Sequence, residues 1–299
     1  MFCDLIPLIK PRAIPPLDKD FIPAVLWNHA FLDAVRSSRE GLPLAVGLEQ
    51  NDGGISIFRT YIFPPEHKLA SANLLYTERL VKTLLWIRGG YKITTAGPDK
   101  IGKFIKEVYS SKGERAFDVN FMSKIYEKPF IVEIGNNKKI YPTKEKSIPL
   151  GGHLEGCRIG FDLGASDRKV SAVINGKAVF SEEVVWNPII QTNPNYHYHE
   201  IMSMLQHAAA HMPRVDAIGG SSAGIYIKNR VMSASIFRGI SPDLFEKRVK
   251  HIFLDIQKEW GVPLEIINDG EITALAGSMS LETNSVLGIA MGSSEAGGY

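Results

Sequence analysis

The sequence predicts an α/β protein in two parts: a mixed sheet flanked by helices, preceded by a separate α/β domain. Three observations carry this reading. Arg158 to Glu183 spells a three-strand meander, with Ile159-Gly160-Phe161 as a first strand, Lys169 to Ile174 as a second and Lys177 to Phe180 as a third. The Asn175-Gly176 pair between the last two is the strongest short hairpin signal a sequence offers. Downstream, buried strands alternate with helices, the pattern of a sheet covered by helices. Upstream, residues 136–149 are polar, Lys-rich and bounded by Pro149, and read as the linker between the parts.

Taken in order, residues 1–20 hold Pro7, Pro11, Pro15 and Pro16 and form an extended arm. Phe21 to Arg39 has helical spacing. Gly41 to Phe63 reads as a hairpin turning at Asn51-Asp52-Gly53-Gly54, and Pro64-Pro65 ends it. A helix over Tyr76 to Arg88 stops at Gly89-Gly90. A short strand over Tyr91 to Thr95, a helix over Lys100 to Tyr109, a short helix over Phe117 to Tyr126 and a strand over Phe130 to Ile134 follow. These helices are split by a strand and a Gly-Pro turn and lack a basic second helix, so they do not spell a winged helix for DNA. After the meander, Asn187 to Tyr198 reads as a loop and Tyr198 to Met212 as a helix. Val215 to Gly219 is a strand ending in the loop Gly219 to Gly224. Tyr226 to Ser235 forms another hairpin arm, and a long helix from Leu244 to Trp260 is opened by Ser241-Pro242. Leu264 to Ile267 is a buried strand, followed by an Ala-rich helix. Asn284 to Tyr299 reads as a strand, a Gly/Ser turn and a run of small residues.

The 299 residues are 44% hydrophobic and 22% charged, with a net charge of +2. This is the profile of an ordinary globular protein with no demand for a polyanionic partner. Two cysteines, Cys3 and Cys157, exclude a disulfide framework and fit a reducing compartment. No apolar run reaches a membrane span, and the N-terminus is too acidic and Pro-broken for a signal peptide. A cytoplasmic location is expected.

Chemistry concentrates at three places. Asp162-x-Gly164 ends the first meander strand with a carboxylate able to hold hydrated Mg²⁺ and a bend whose N–H groups can approach phosphate. Asn268-Asp269 ends a buried strand and opens a helix. Gly292-Ser293-Ser294 is a turn after the strand beginning at Asn284. This strand-acid-glycine hairpin, strand-Asn-Asp-helix and strand-Gly-Ser-Ser turn, in that order, resemble the actin, heat-shock protein and sugar-kinase superfamily. Within it they are most similar to the ROK group of sugar kinases and sugar-responsive repressors. That group's N-D-x-x-x-x-A-L-x-G segment is present as Asn268-Asp269 through Ala274-Leu275 to Gly277. The resemblance covers residues 157–299.

The resemblance implies a ribonuclease-H-like (actin-type ATPase) lobe over residues 151–283, the start of a second lobe over 284–299, and an accessory α/β domain over 1–150. It implies ATP-dependent phosphorylation of a sugar hydroxyl, with ATP and Mg as cofactors. Asp269 would act as general base and Asn268 as a sugar contact. Ser221, Ser222 and Gly224 would lie beside the sugar. Asp162, Gly164, Gly292, Ser293 and Ser294 would hold the nucleotide, with Asp162 reaching Mg²⁺ through water. For Asp269 the alternative is a plain helix N-cap; for Gly219 to Gly224, a plain strand-to-turn transition.

Two features depart from that family. Its second phosphate turn usually reads Gly-Thr-Gly-x-Gly-Gly, whereas Ser294, Glu295 and Ala296 interrupt the glycines here. A carboxylate beside polyphosphate repels it unless a metal bridges them. Counterparts of the relatives' Glu-x-Gly-His segment and adenosine pocket do not follow, so a fragment of a longer enzyme is expected. The alternative function is a non-catalytic sugar sensor of the same fold. His197, His199, His207 and His211 include an i, i+4 pair, but no nearby set completes a zinc site; a loop and a solvated helix face account for them. The expected partner is a small sugar, with no nucleic acid and no membrane; a homodimer is compatible.

Overall fold

The computed structural model describes residues 9, 11–135, 143–144, 151–292 and 295–299. Residues 1–8 and 10 of the expected arm, most of the linker, and Ser293 and Ser294 lie outside the described residues. The chain divides into two compact mixed α/β units, Met1–Ser147 and Ile148–Tyr299, each with its own core.

The first unit runs α1 (Ala24–Ser38), β1 (Leu42–Glu49), β2 (Ile55–Ile62), α2 (Ala72–Arg88), β3 (Lys92–Ala96), α3 (Asp99–Val108), α4 (Ala116–Tyr126) and β4 (Ile131–Gly135). Its sheet has the order β2-β1-β3-β4, antiparallel except for β3 and β4. The β1–β2 turn forms because Gln50 N–H donates to Gly54 O and Gly54 N–H donates to the Asp52 side chain. Leu44, Val46 and Leu48 alternate inward and meet Phe31, Leu85 and Ile105 from the helices. Helix α2 begins four residues before the expected Tyr76. Asn73 anchors its start, pairing with both backbone groups of Phe63 at 3.0 and 2.8 Å.

The second unit opens with the meander, β5 (Cys157–Leu163), β6 (Asp167–Ile174) and β7 (Lys177–Val185). Asn175 and Gly176 take φ values of 49° and 78°, the left-handed pair that a two-residue hairpin requires. Helix α5 (Pro194–Ala209), β8 (Ala217–Ser222), β9 (Gly224–Ile227), β10 (Arg230–Ala234), α6 (Pro242–Leu244), α7 (Ile252–Trp260), β11 (Leu264–Asn268), α8 (Asp269–Leu281), β12 (Gly288–Met291) and β13 (Glu295–Gly298) follow. The main sheet is ordered β11-β8-β5-β6-β7. Strands β5, β8 and β11 are parallel, and β6 and β7 continue the sheet antiparallel.

Three expectations need correction. Helix α5 starts at Pro194 rather than at Tyr198, because Asn193 caps it by accepting from Asn195 N–H and Pro194 fits the first turn. The helix expected over Leu244 to Trp260 is interrupted: Lys250 N–H bonds Phe245 O, making a π-type turn over Phe245–Val249. The Gly219 to Gly224 segment is not a loop throughout, since Gly219 to Ser222 complete β8. Gly220 is required there because a Cβ would land inside the Phe161 ring, while Gly219 faces open space.

One face of this sheet packs Ile159, Phe161, Leu163, Val170, Ile218, Leu264 and Ile266 against Ile201, Leu205, Val249 and Phe253 from the helical side. Arg168 is pinned by Glu200 of α5, which accepts from both its Nε and Nη2 at 3.0 and 2.7 Å. Among the described residues, no helix is long and apolar enough to cross a membrane.

Candidate functional site

Three parallel strands end side by side, and their register decides what meets. Asp162 lies across from Ser221, and Ser221 across from Ile267. One residue further, Leu163, Ser222 and Asn268 form the next row. Alternation sends the first row to the open face and the second to the helix-packed face. Asp269 follows at once as the first residue of α8. The Asp162 and Asn268-Asp269 segments, 106 positions apart in the chain, are thus separated only by the end of β8.

On the open face Ser221 Oγ donates to Asp162 Oδ1 at 2.5 Å. Lys169 stands opposite Asp162 in the β5–β6 register. Its ammonium is raised above its ordinary value chiefly by the hydrogen bond to Asp167; partial burial opposes this, and the fields of Asp167, Glu183 and Asp162 add to it. Asp167 is correspondingly lowered by Lys169. Asp162 and Lys169 line a shallow hollow of about 500 Å³ with Gly160, Ser171, Ser181 and Glu183. A hairpin centred on Ala165-Ser166 sets Asp162 opposite Lys169, so the lysine was readable from the sequence.

Gly164 does not present its N–H outward. That group donates to Asp167 O at 2.9 Å and closes the hairpin, while Trp186 Nε1 donates to Gly164 O at 2.9 Å. On the packed face, Ser222 is fully buried and its hydroxyl donates to Leu163 O at 2.8 Å. It ties β8 to β5 rather than facing a cleft.

The Asn-Asp pair divides its labour. Asn268 is the helix N-cap: its Oδ1 accepts from Gly270 N–H at 2.8 Å, and its Nδ2 donates to Gly224 O at 2.9 Å. The half-buried Asp269 carboxylate accepts a longer 3.1 Å bond from the same Gly270 N–H. The N-cap contact is thus made chiefly by Asn268, which leaves the Asp269 carboxylate the less committed of the two.

Strands β12 and β13 pair antiparallel, with Met291 opposite Glu295. The hairpin lies on α8 through glycines. A Cβ on Gly270 would come within 2.8 Å of the Ala296 and Gly297 backbone, and Cβ atoms on Gly288 and Gly298 would strike α8. Ala296 sits by Gly270 and Gly298 by Glu271, so the hairpin runs back toward the Asp269 end of α8.

The histidines serve other ends. His197 is wholly buried in α5, and its Nε2–H is shared between Ile236 O at 2.9 Å and Pro188 O at 3.1 Å. His207 Nδ1 pairs with Glu182 at 3.0 Å, and His211 stacks on Phe180 with ring centroids 4.0 Å apart. Among the described residues, no three His, Cys, Asp or Glu side chains gather as a metal cluster.

No protein-family model matches this sequence, and no curated protein matches it. Among solved structures, a ROK family transcriptional regulator, a homologue of the E. coli MLC protein, is similar at 18% identity and a TM-score of 0.39, over 48% of this chain and 36% of that one. A ROK hexokinase from Thermus thermophilus is similar at 16% identity and a TM-score of 0.32, over 41% of this chain and 37% of its own. A glucokinase from Parabacteroides distasonis is similar at 16% identity and a TM-score of 0.35, over 43% of this chain and 35% of its own. The matched part is thus little more than a third of each of those chains.

Proposed function

We propose that this chain carries the catalytic lobe of a ROK-type sugar kinase, one that phosphorylates a sugar hydroxyl at the expense of ATP. One observation carries the reading: Asp162 and Asp269 stand at the ends of two strands separated only by β8, whose Ser221 is bonded to Asp162. The strand order, an antiparallel meander continued by two parallel strands, suits the ribonuclease-H-like lobe that the sequence resembles.

Asp269 would accept the proton of the sugar hydroxyl, since its carboxylate is the less committed of the pair. Asn268 keeps one amide hydrogen beyond its bond to Gly224 O and could donate it to a sugar oxygen. The residues fit a hydrated magnesium ion. Asp162 is half-buried and Ser221 occupies one acceptor site of its carboxylate, leaving others for metal-bound water. Mg²⁺ would neutralise charge on the transferring phosphate. Lys169, beside Asp162, adds fixed positive charge there.

A second reading, a sugar sensor without catalysis, is favoured by two specific features. The Gly164 N–H is spent on Asp167 O, and Glu295 flanks the second turn. Thermal unfolding with a panel of hexoses, with and without Mg-ATP, separates the two readings, because a ligand that binds only the folded state raises the midpoint. The kinase reading expects shifts from both a hexose and Mg-ATP, with ADP release when both are present. A hexose shift with no Mg-ATP shift favours the sensor, and no shift from any hexose contradicts both.

A further inference from the structure

Strand β9 carries a tyrosine that the readings above leave unused. The Tyr226 ring packs edge-on against Phe253, with centroids 6.0 Å apart, among the buried residues of the second unit. Its hydroxyl is buried and has no hydrogen-bond partner. Such a group normally finds a partner, because leaving it unpaired forfeits its hydration without return. Its surroundings are the proposed site. Burial raises the phenol well above its ordinary value, Ser222 beside it is the next-largest influence and pulls the other way, and Asp269 and Asp162 add smaller contributions to the rise. Ser222 gives its own proton to Leu163 O and stands close enough to influence the phenol, but not in hydrogen-bonding geometry with it. Gly224 makes the approach possible: a Cβ there would sit 2.6 Å from Ser233 O and 3.1 Å from the Tyr226 hydroxyl. The carbonyl of Gly224 is in turn held by Asn268 Nδ2. A neutral O–H without an acceptor therefore lies against Gly224, whose carbonyl is held by Asn268, the residue that caps α8.

We infer that Tyr226 is a ligand-binding residue at the strand ends that carry the proposed site, its hydroxyl donating a hydrogen bond to an oxygen of a bound polyol. This rests on the sugar reading, and it adds a contact that no sequence motif supplied. A neutral donor suits a sugar oxygen, and the phenol stays protonated across the pH range in which an enzyme of this kind would work.

The test is Tyr226→Phe, which keeps the ring and removes only the oxygen. Two quantities are read on the whole chain: the unfolding midpoint without ligand, and the affinity for D-glucose, D-mannose and D-fructose by calorimetry. The expected result is an unchanged or raised midpoint, since no bond is lost, together with about a tenfold weaker affinity for whichever hexose the unaltered chain binds. Equal hexose affinity overturns the assignment of Tyr226 alone and leaves the sugar reading standing. A lowered midpoint also overturns it, by revealing that the hydroxyl serves the fold. Absence of hexose binding by the unaltered chain overturns the sugar reading and this contact together.

Discussion

Ser221 Oγ donates a hydrogen bond to Asp162 Oδ1 at 2.5 Å, joining the ends of two parallel strands whose residues are 59 positions apart in the chain. The serine was expected beside the sugar. It holds the acid that would hold the metal, and so bears on the direction in which the remaining carboxylate acceptors point. Replacing Ser221 with Ala removes a bond to a charged group, and we expect a loss of about 1.5–3 kcal/mol in unfolding free energy by denaturant titration. The midpoint shift produced by Mg-ATP should shrink in the same variant. Unchanged stability and an unchanged shift would mean that the serine does not orient Asp162.

The close pass of β8 over Phe161 yields a second expectation. Phe161 is buried and stacked on Phe253, with ring centroids 6.2 Å apart. Gly220→Ala must displace that ring or bend the strand, and overpacking of this kind costs about 1–3 kcal/mol. Gly219→Ala, one residue earlier on the open face, meets nothing and should cost under about 1 kcal/mol. Equal losses in the two variants would contradict the facing assigned to β8.

His197 links stability to pH. Burial pushes its imidazole below the ordinary value, against the smaller opposing effect of the Ile236 and Pro188 carbonyls. The folded state therefore takes up its proton at lower pH than the unfolded state does. The stability it contributes is complete above the unfolded value of about 6.5 and drains away as pH falls from there toward the folded value. Unfolding free energy measured between pH 7.5 and 5 should decline. His197→Gln should be less stable at pH 7.5 and decline less steeply over that range. A parallel decline in both proteins would remove His197 as the cause.

Glycine contacts hold the β12–β13 hairpin on α8, which predicts a local effect. Gly270→Ala should push the hairpin away, because its Cβ would meet the Ala296 and Gly297 backbone at 2.8 Å. Hydrogen exchange should then accelerate over residues 288–298 while β5 and β6 keep their protection. Unaltered exchange in the hairpin would show that it tolerates the methyl group.

What the sequence disclosed, and what it withheld, follows from the range of the interactions. The meander was legible because Asn175-Gly176 dictates its turn locally. The C-terminal half of β8 was not, because Gly219-Gly220-Ser221-Ser222 has turn composition, and its extended form depends on Phe161 and on pairing to β5 and β11. The Asn268-Asp269 pair was visible as a site, but not which of the two caps the helix; that was decided by the Gly224 carbonyl, which draws Asn268 into place. Lys169 could have been found by counting the hairpin register. Tyr226 had no signal, since an unpartnered hydroxyl is a property of the folded surroundings alone.

The most direct test of the central claim is phosphoryl transfer by Asp269→Asn. With Mg-ATP and the hexose the chain binds, removal of the base should lower turnover at least a hundredfold while hexose affinity stays within about threefold. Turnover equal to that of the unaltered chain, or no transfer by the unaltered chain when it binds both ligands, would contradict the assignment of Asp269 as the base.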